Sequence, residues 1–175
     1  MIYTPSRIPG AWIMDVEPVH DQRGFFAMTW LPEELRKRGM DPALAQCNLA
    51  FNHKRGTLRG MHLQSDPHAQ IKIVRATRGA LLDVIVDLRP DSPTFKKWDA
   101  VELTADNRRM LYIPAGIAHG YLTLSDHTEA YYHASTPWAP SAERGVRWND
   151  PAFGIEWPFT PTVISSKDEA WPLLS

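Results

Sequence analysis

Short runs of alternating apolar and polar residues, each closed by turn residues, fill the second half of this sequence. The runs Ile71 to Arg75, Ala80 to Leu88, Trp98 to Leu103, Arg109 to Ile113, Tyr121 to Leu124 and Ala130 to Ala134 predict strands. Their spacing predicts an antiparallel sandwich or barrel. One stretch reads as helix, Leu31 to Arg38, with Pro32 at its start, Glu33 and Glu34 in the first turn, Lys37 and Arg38 in the last, and Gly39 as a stop. In a strand over Ala80 to Leu88, Leu82, Val84 and Val86 share one face and Leu81, Asp83, Ile85 and Asp87 the other. A carboxylate at Asp83 thus points where Leu81 and Ile85 point, into a polar cavity or into solvent, and the apolar neighbours favour the cavity.

A chain of 175 residues with 43% hydrophobic content is expected to form one domain over 1–175, with the Pro- and Trp-rich stretch 151–175 wrapping the barrel as ordered loop. The net charge of −1 is spread along the chain, so neither a nucleic-acid nor a membrane surface is expected, while a few focused arginines can still hold a small anion. Cys47 stands alone, which excludes an intramolecular disulfide and a multi-cysteine zinc site and fits a reducing compartment. With no leader pattern at MIYTPSRIPG and no long apolar run, a cytoplasmic location is expected.

The residue types that carry chemistry gather in three places. The stretch Gly56-Thr-Leu-Arg-Gly-Met-His-Leu-Gln64 joins two glycines, Arg59, His62 and Gln64. Strand alternation there puts Leu58, Gly60, His62 and Gln64 on one face and Arg59, Met61 and Leu63 on the other. Gln70, Lys72 and Val74 alternate likewise, and Pro114-Ala-Gly-Ile-Ala-His119-Gly120 gives a turn followed by a second histidine. Two histidines and a lysine can therefore converge inside one barrel. His20, His53, His68, His127 and His133 lack a partner pattern and read as surface or structural. Of the seven tryptophans, most read as packing, with Trp138 the exception.

Pro-x-Gly-x-x-His resembles the second signature of the cupins. Metal cupins follow their first glycine with a His-x-His pair, whereas this chain has His62-Leu-Gln64; two histidines and an amide are a poor ligand set, and acid and base work suits the cavity better. From Asp21 to Asp168 the chain is similar to the dTDP-4-dehydrorhamnose 3,5-epimerases. The resemblance rests on the order and spacing of Asp21-Gln-Arg-Gly-Phe-Phe26, Leu58-Arg-Gly-Met-His-Leu-Gln64, Gln70-Ile-Lys72, Asp83-Val-Ile-Val-Asp87, Pro114-Ala-Gly-Ile-Ala-His-Gly120, Trp148-Asn-Asp150 and Ser166-Lys-Asp168.

The resemblance implies an all-β fold, a cupin-type jelly-roll barrel (an antiparallel β-sandwich) with one or two short peripheral helices. It implies a cofactor-free and metal-free epimerase acting beside the ketone of a nucleoside-diphosphate 4-keto-6-deoxyhexose. His62 matches the base, Asp168 its orienting carboxylate, Tyr132 the donor on the opposite face and Lys72 the cation near the enolate. Arg23, Phe26, Gln46, Asn48, Arg59, His119, Trp138, Glu143 and Lys167 match substrate-binding positions. It also implies a homodimer in which the N-terminal strands, about 1–30, exchange and Arg23 comes from the neighbouring subunit.

Three positions depart from the family pattern: Met28 stands where Glu is usual, Ala50 where Ser is usual and Trp138 where Tyr is usual. Since Trp can stack on a base, a nucleotide still fits, dTDP or an altered one, and the departures point to a changed nucleotide or a changed choice of carbon. Two alternatives use the same residues: a non-catalytic cupin module that binds a sugar nucleotide, and a metal-dependent oxygenase, which predicts bound iron. Asp83 serves either a buried polar network or the chemistry.

Overall fold

The computed structural model describes residues 1–174 and is built almost wholly of antiparallel strands. In chain order they are β1 (Ile2–Pro5), β2 (Trp12–Asp15), β3 (Val19–Asp21), β4 (Gly24–Phe26), β5 (Gln46–Asn52), β6 (Leu58–Gln64) and β7 (Lys72–Arg78). There follow β8 (Ala80–Asp87), β9 (Trp98–Thr104), β10 (Met110–Ile113), β11 (Ile117–Thr123), β12 (Thr128–Ala134) and β13 (Glu143–Gly145). Two short helices, α1 (Pro32–Arg36) and α2 (Ser166–Glu169), lie between and after them. A six-stranded sheet runs β1-β2-β10-β7-β12-β5 and a five-stranded sheet runs β13-β6-β11-β8-β9, while β3 and β4 pair only with each other.

The two large sheets face one another across an apolar core. Val74, Ala76, Leu111, Ile113 and Ala130 of the first meet Leu81, Ile85, Val101, Leu103, Ile117 and Tyr121 of the second. The alternation in β8 fits this arrangement: Leu81 and Ile85 point inward, and Asp83, fully buried, points with them. Val84 and Val86 point the other way and are covered by Phe153, Ile155, Trp157 and Leu174 of the C-terminal segment. The outer face of the six-stranded sheet is covered in part by Leu35 and Met40, which pack on Met14, Ile73, Met110 and Tyr112.

Four differences from the sequence expectations have local causes. The helix is confined to Pro32–Arg36, because Lys37 and Arg38 turn back to bond Glu34 at 2.8 and 2.7 Å and Gly39 adopts a φ of +73°. Strands β1 to β5 and β13 lie in stretches without a clean alternation. The strand read from Tyr121 begins at Ile117, because the turn ends at Gly116, whose φ is +80°.

The fourth difference is in β6. Alternation puts Arg59 opposite His62, yet both side chains line the same cavity. Where β6 pairs with β11, His62 sits beside His119 and Arg59 beside Tyr121, so three steps along β6 match two along β11. The extra residue is a bulge, which re-aims the side chains on one side of it. The glycines permit it: an added Cβ on Gly60 would lie 2.4 Å from the Cα of Gly120, at a φ of +136°.

Candidate active site

The cavity opens between the two sheets, in two adjoining lobes of about 280 and 330 Å³ that share His62, Lys72, Tyr132, Trp138 and Glu143. The six-stranded sheet presents rows of inward residues. Lys72, Ala134 and Gln46 form one row, Val74, Tyr132 and Asn48 the next, and Ala76, Ala130 and Ala50 the third. The alanines leave the floor open around Lys72 and Tyr132. Alternation sends Tyr131 outward, beside Leu49 and Arg75, which fixes Tyr132 as the inward member of the pair. The five-stranded sheet presents His62, Arg59 and His119 from the opposite wall.

His62 is held by Asp168, whose Oδ1 lies 2.5 Å from Nε2. Asp168 comes from α2, capped by the Ser165 hydroxyl, which accepts from the Asp168 N–H at 3.1 Å. Burial pushes the Asp168 carboxyl up, but the His62 ring, the Gly60 N–H and Ser165 outweigh it and hold the group below the usual carboxylate range. An ionised acceptor on Nε2 places the ring proton there and leaves the lone pair on Nδ1. A second histidine–carboxylate pair lies beside the first: His119 Nε2 is 2.9 Å from Asp83 Oδ2. Burial raises the Asp83 pKa against the opposing pull of His119 and Lys72, and its Oδ1 has no hydrogen-bond partner among the described residues.

Lys72 is desolvated, which lowers its pKa to about 8, with Asp83 and Glu143 pulling the other way. Tyr132 is raised above the usual phenol value, chiefly by burial, so it keeps its proton near neutral pH. The cavity thus combines an oriented imidazole, a cation and a protonated phenol.

Three amides shape the rim. Gln64 donates to the carbonyls of His68 and Pro137 at 2.7 and 3.3 Å and accepts from the Ala139 N–H at 2.8 Å. Gln46 accepts from the Trp138 N–H at 2.9 Å and donates to Asn48, and Gln70 donates to the Thr136 carbonyl at 2.7 Å. Together they fix the loop that carries the exposed Trp138. Glu143 and Lys167 pair at 2.6 Å on the other side of the opening.

Of the residues singled out in the sequence, His62, Tyr132, Asp168, Lys72, Gln46, Asn48, Arg59, His119, Trp138, Glu143 and Lys167 all line this cavity. Arg23 and Phe26 do not. They sit on the β3–β4 hairpin, where the Arg23 guanidinium bonds only Asp21 among the described residues and Phe26 is 70% exposed. Met28 is exposed in the stretch after that hairpin, whereas Ala50 lines the cavity. Tyr121, Gln70 and Ser165 also line it, and sequence reasoning did not assign them to it; inward alternation in β11 is a signal for Tyr121.

Residues 5–175 match the family model of dTDP-4-dehydrorhamnose 3,5-epimerase. The chain belongs to that family. Its epimerase, an isomerase, is the class of enzyme to which this chain is assigned. A dTDP-4-dehydrorhamnose 3,5-epimerase of Salmonella typhimurium is 42% identical over 176 residues, covering 99% of this chain and 96% of the relative. A crystal structure of such an epimerase from Bacillus anthracis, with TDP and PPi bound, superposes with a TM-score of 0.94 at 39% identity, covering 99% of both chains. A 3'-monoepimerase from Streptomyces bikiniensis in complex with dTDP-quinovose gives 0.89 at 37% identity, covering 97% of this chain and 86% of that one. The family shares the β-sandwich architecture expected from the strand pattern, and no helix among the described residues is long and apolar enough to cross a membrane.

Proposed function

We propose that the chain inverts C3, C5 or both of a nucleoside-diphosphate 4-keto-6-deoxyhexose, with His62 as base and Tyr132 as donor. His62 removes the proton beside the ketone, and the electrons of the broken C–H bond pass into an enolate whose oxygen is stabilised by Lys72 and His119. The phenol of Tyr132 then gives its proton to the opposite face of the carbon, and the two side chains are reset through solvent. The observation that carries this reading is the placement of His62, oriented by Asp168, on one sheet and of Tyr132 with the desolvated Lys72 on the other, all lining one cavity. The chemistry needs no cofactor, and the lone Cys47 fits a reducing compartment such as the cytoplasm.

Arg59, Gln46, Asn48, Glu143, Lys167 and Trp138 would bind the rest of the substrate, with guanidinium on diphosphate and indole on base. Ala50 and Trp138 in the cavity, with Met28 beside the hairpin, depart from the family pattern and favour a changed nucleotide or a changed choice of carbon. The exposed Val19, Phe25 and Phe26 of the hairpin and Leu49 and Phe51 on edge strand β5 suit burial against a second copy of the chain. In such a homodimer the β3–β4 hairpin crosses over and delivers Arg23 and Phe26 to the partner's cavity, while β1 and β2 stay in their own sheet.

The test is hydrogen exchange in deuterated water, followed by proton NMR at C3 and C5 of dTDP-4-keto-6-deoxyglucose and its CDP, UDP and GDP counterparts. Exchange is expected at one or both carbons, falling by about 10²–10⁴ in His62→Asn. Absence of exchange with every nucleotide, from folded dimer, would leave a binding module instead. Equal efficiency with the thymidine compound and ordinary relatives would remove the changed-nucleotide reading.

A further inference from the structure

The base is only as well placed as the carboxylate behind it, and that carboxylate stands on a helix of four residues. Helices this short are not stable by themselves, so α2 must be held by tertiary contacts. Trp171, three residues beyond Asp168, supplies the largest side chain next to it. Its indole sits directly on Gly145 of β13: a Cβ added there would fall 2.3, 2.5 and 2.7 Å from Cε2, Cδ2 and Nε1. Gly145 is the cross-strand partner of His62, so the seat of the indole is the strand beside the base. The same indole meets the His62 ring edge-on, with centroids 6.0 Å apart and planes at 62°. Lys167, one residue before Asp168, lies with its Nζ 5.9 Å from the indole centroid and pairs with Glu143 of β13.

From these contacts we infer that Trp171 is a positioning residue: seated on the bare backbone of Gly145, it holds α2 so that Asp168 meets Nε2 of His62. This rests on the reading of His62 as the base. The indole acts by packing alone, because its buried Nε1 makes no hydrogen bond among the described residues. Phenylalanine can therefore take the seat and alanine cannot. Side chains cannot be added to Gly145 while the indole is there, so the two positions are coupled. The charged and titratable groups that share the cavity with His62 are Asp168 and Lys167 from α2, Glu143 from β13, Arg59 from β6, Lys72 from β7, His119 and Tyr121 from β11 and Tyr132 from β12. Replacing Trp171 leaves all eight in the chain and changes only where Asp168 stands.

The experiment compares Trp171→Ala, Trp171→Phe, Gly145→Ala and the Gly145→Ala/Trp171→Ala double variant in the full chain. Trp171→Ala is expected to lower kcat by about 10–100-fold with KM within about 3-fold, the scale of a misplaced catalytic group. Trp171→Phe should retain most of kcat. Gly145→Ala should resemble Trp171→Ala, and the double variant should be no worse than either. Nitrogen-15 NMR of the His62 ring reads the pair without substrate: one tautomer, with the proton on Nε2, in the parent and Trp171→Phe, and mixed tautomers in Trp171→Ala. Unchanged kcat and a single tautomer in Trp171→Ala would overturn the assignment, as would strictly additive losses in the double variant. Should Trp171→Ala fail to fold, the Gly145→Ala ring spectrum decides alone. If the parent protein shows no turnover, the proposed function fails, and the ring spectra still decide the role of Trp171.

Discussion

Lys72 is a group proposed to touch substrate whose charge is opposed by its surroundings. Burial disfavours its ammonium and brings the pKa down to about 8, so the cation is present below that pH and is lost as pH rises through it. Turnover is expected to fall on the alkaline side with a midpoint near this value, and Asp83→Asn, which removes one of the two carboxylates that support the cation, should move the limb to lower pH. A pH–rate profile of both proteins checks this. The folded value lies below the ordinary 10.5, so the desolvation cost is fully present below about 8 and lifts as pH rises toward 10.5. Lys72→Met should thus gain about 1–3 kcal/mol at pH 7 in denaturant unfolding while losing most of its turnover. The sequence made His62, His119 and Lys72 visible because two motifs and a strand alternation carry them. Asp168 was legible only through resemblance, since its partner lies 106 residues away. Trp171 had no signal at all, because its role depends on a glycine that backbone pairing brings next to the base.

At the scale of elements, the close approach of β6 and β11 shapes the histidine wall. A Cβ on Gly120 would lie 2.7 Å from Met61 Sδ, 2.8 Å from the Arg59 carbonyl oxygen and 2.9 Å from the Gly60 Cα. Two of these are backbone atoms, which cannot rotate away. Gly120→Ala is expected to cost about 1–3 kcal/mol in denaturant unfolding, and to lower turnover further than the stability loss explains, since the strands carrying His62 and His119 must part. This element also marks where reading by periodicity stops. Edge strand β9 alternates because one face meets the core, while β8 is covered on both faces, by the core and by the C-terminal segment, and the sequence located both to within a residue. A bulge shifts the phase of β6 midway, and no count of alternate residues foresees that Arg59 and His62 share a side. Strands β3, β4 and β13, three residues each, are too short to carry a period.

For the whole molecule, the unpaired β3–β4 hairpin and the exposed aromatic residues around it bear on assembly. Sedimentation should give a dimer, and Arg23→Ala should raise KM by about 10-fold or more while leaving kcat and the dimer nearly intact, as expected when a charge-assisted contact to phosphate is lost. A monomer with full activity would remove the crossover. The placement of the proposed base and donor on opposite sheets has one more consequence. The gap the proton chemistry must span is the thickness of the sandwich itself, set by how core residues such as Val74, Leu81, Ile85 and Leu111 interdigitate between the sheets. Ordinary filler residues thereby become a ruler, and a methyl group gained or lost among them changes the reach from His62 to Tyr132 before it threatens the fold.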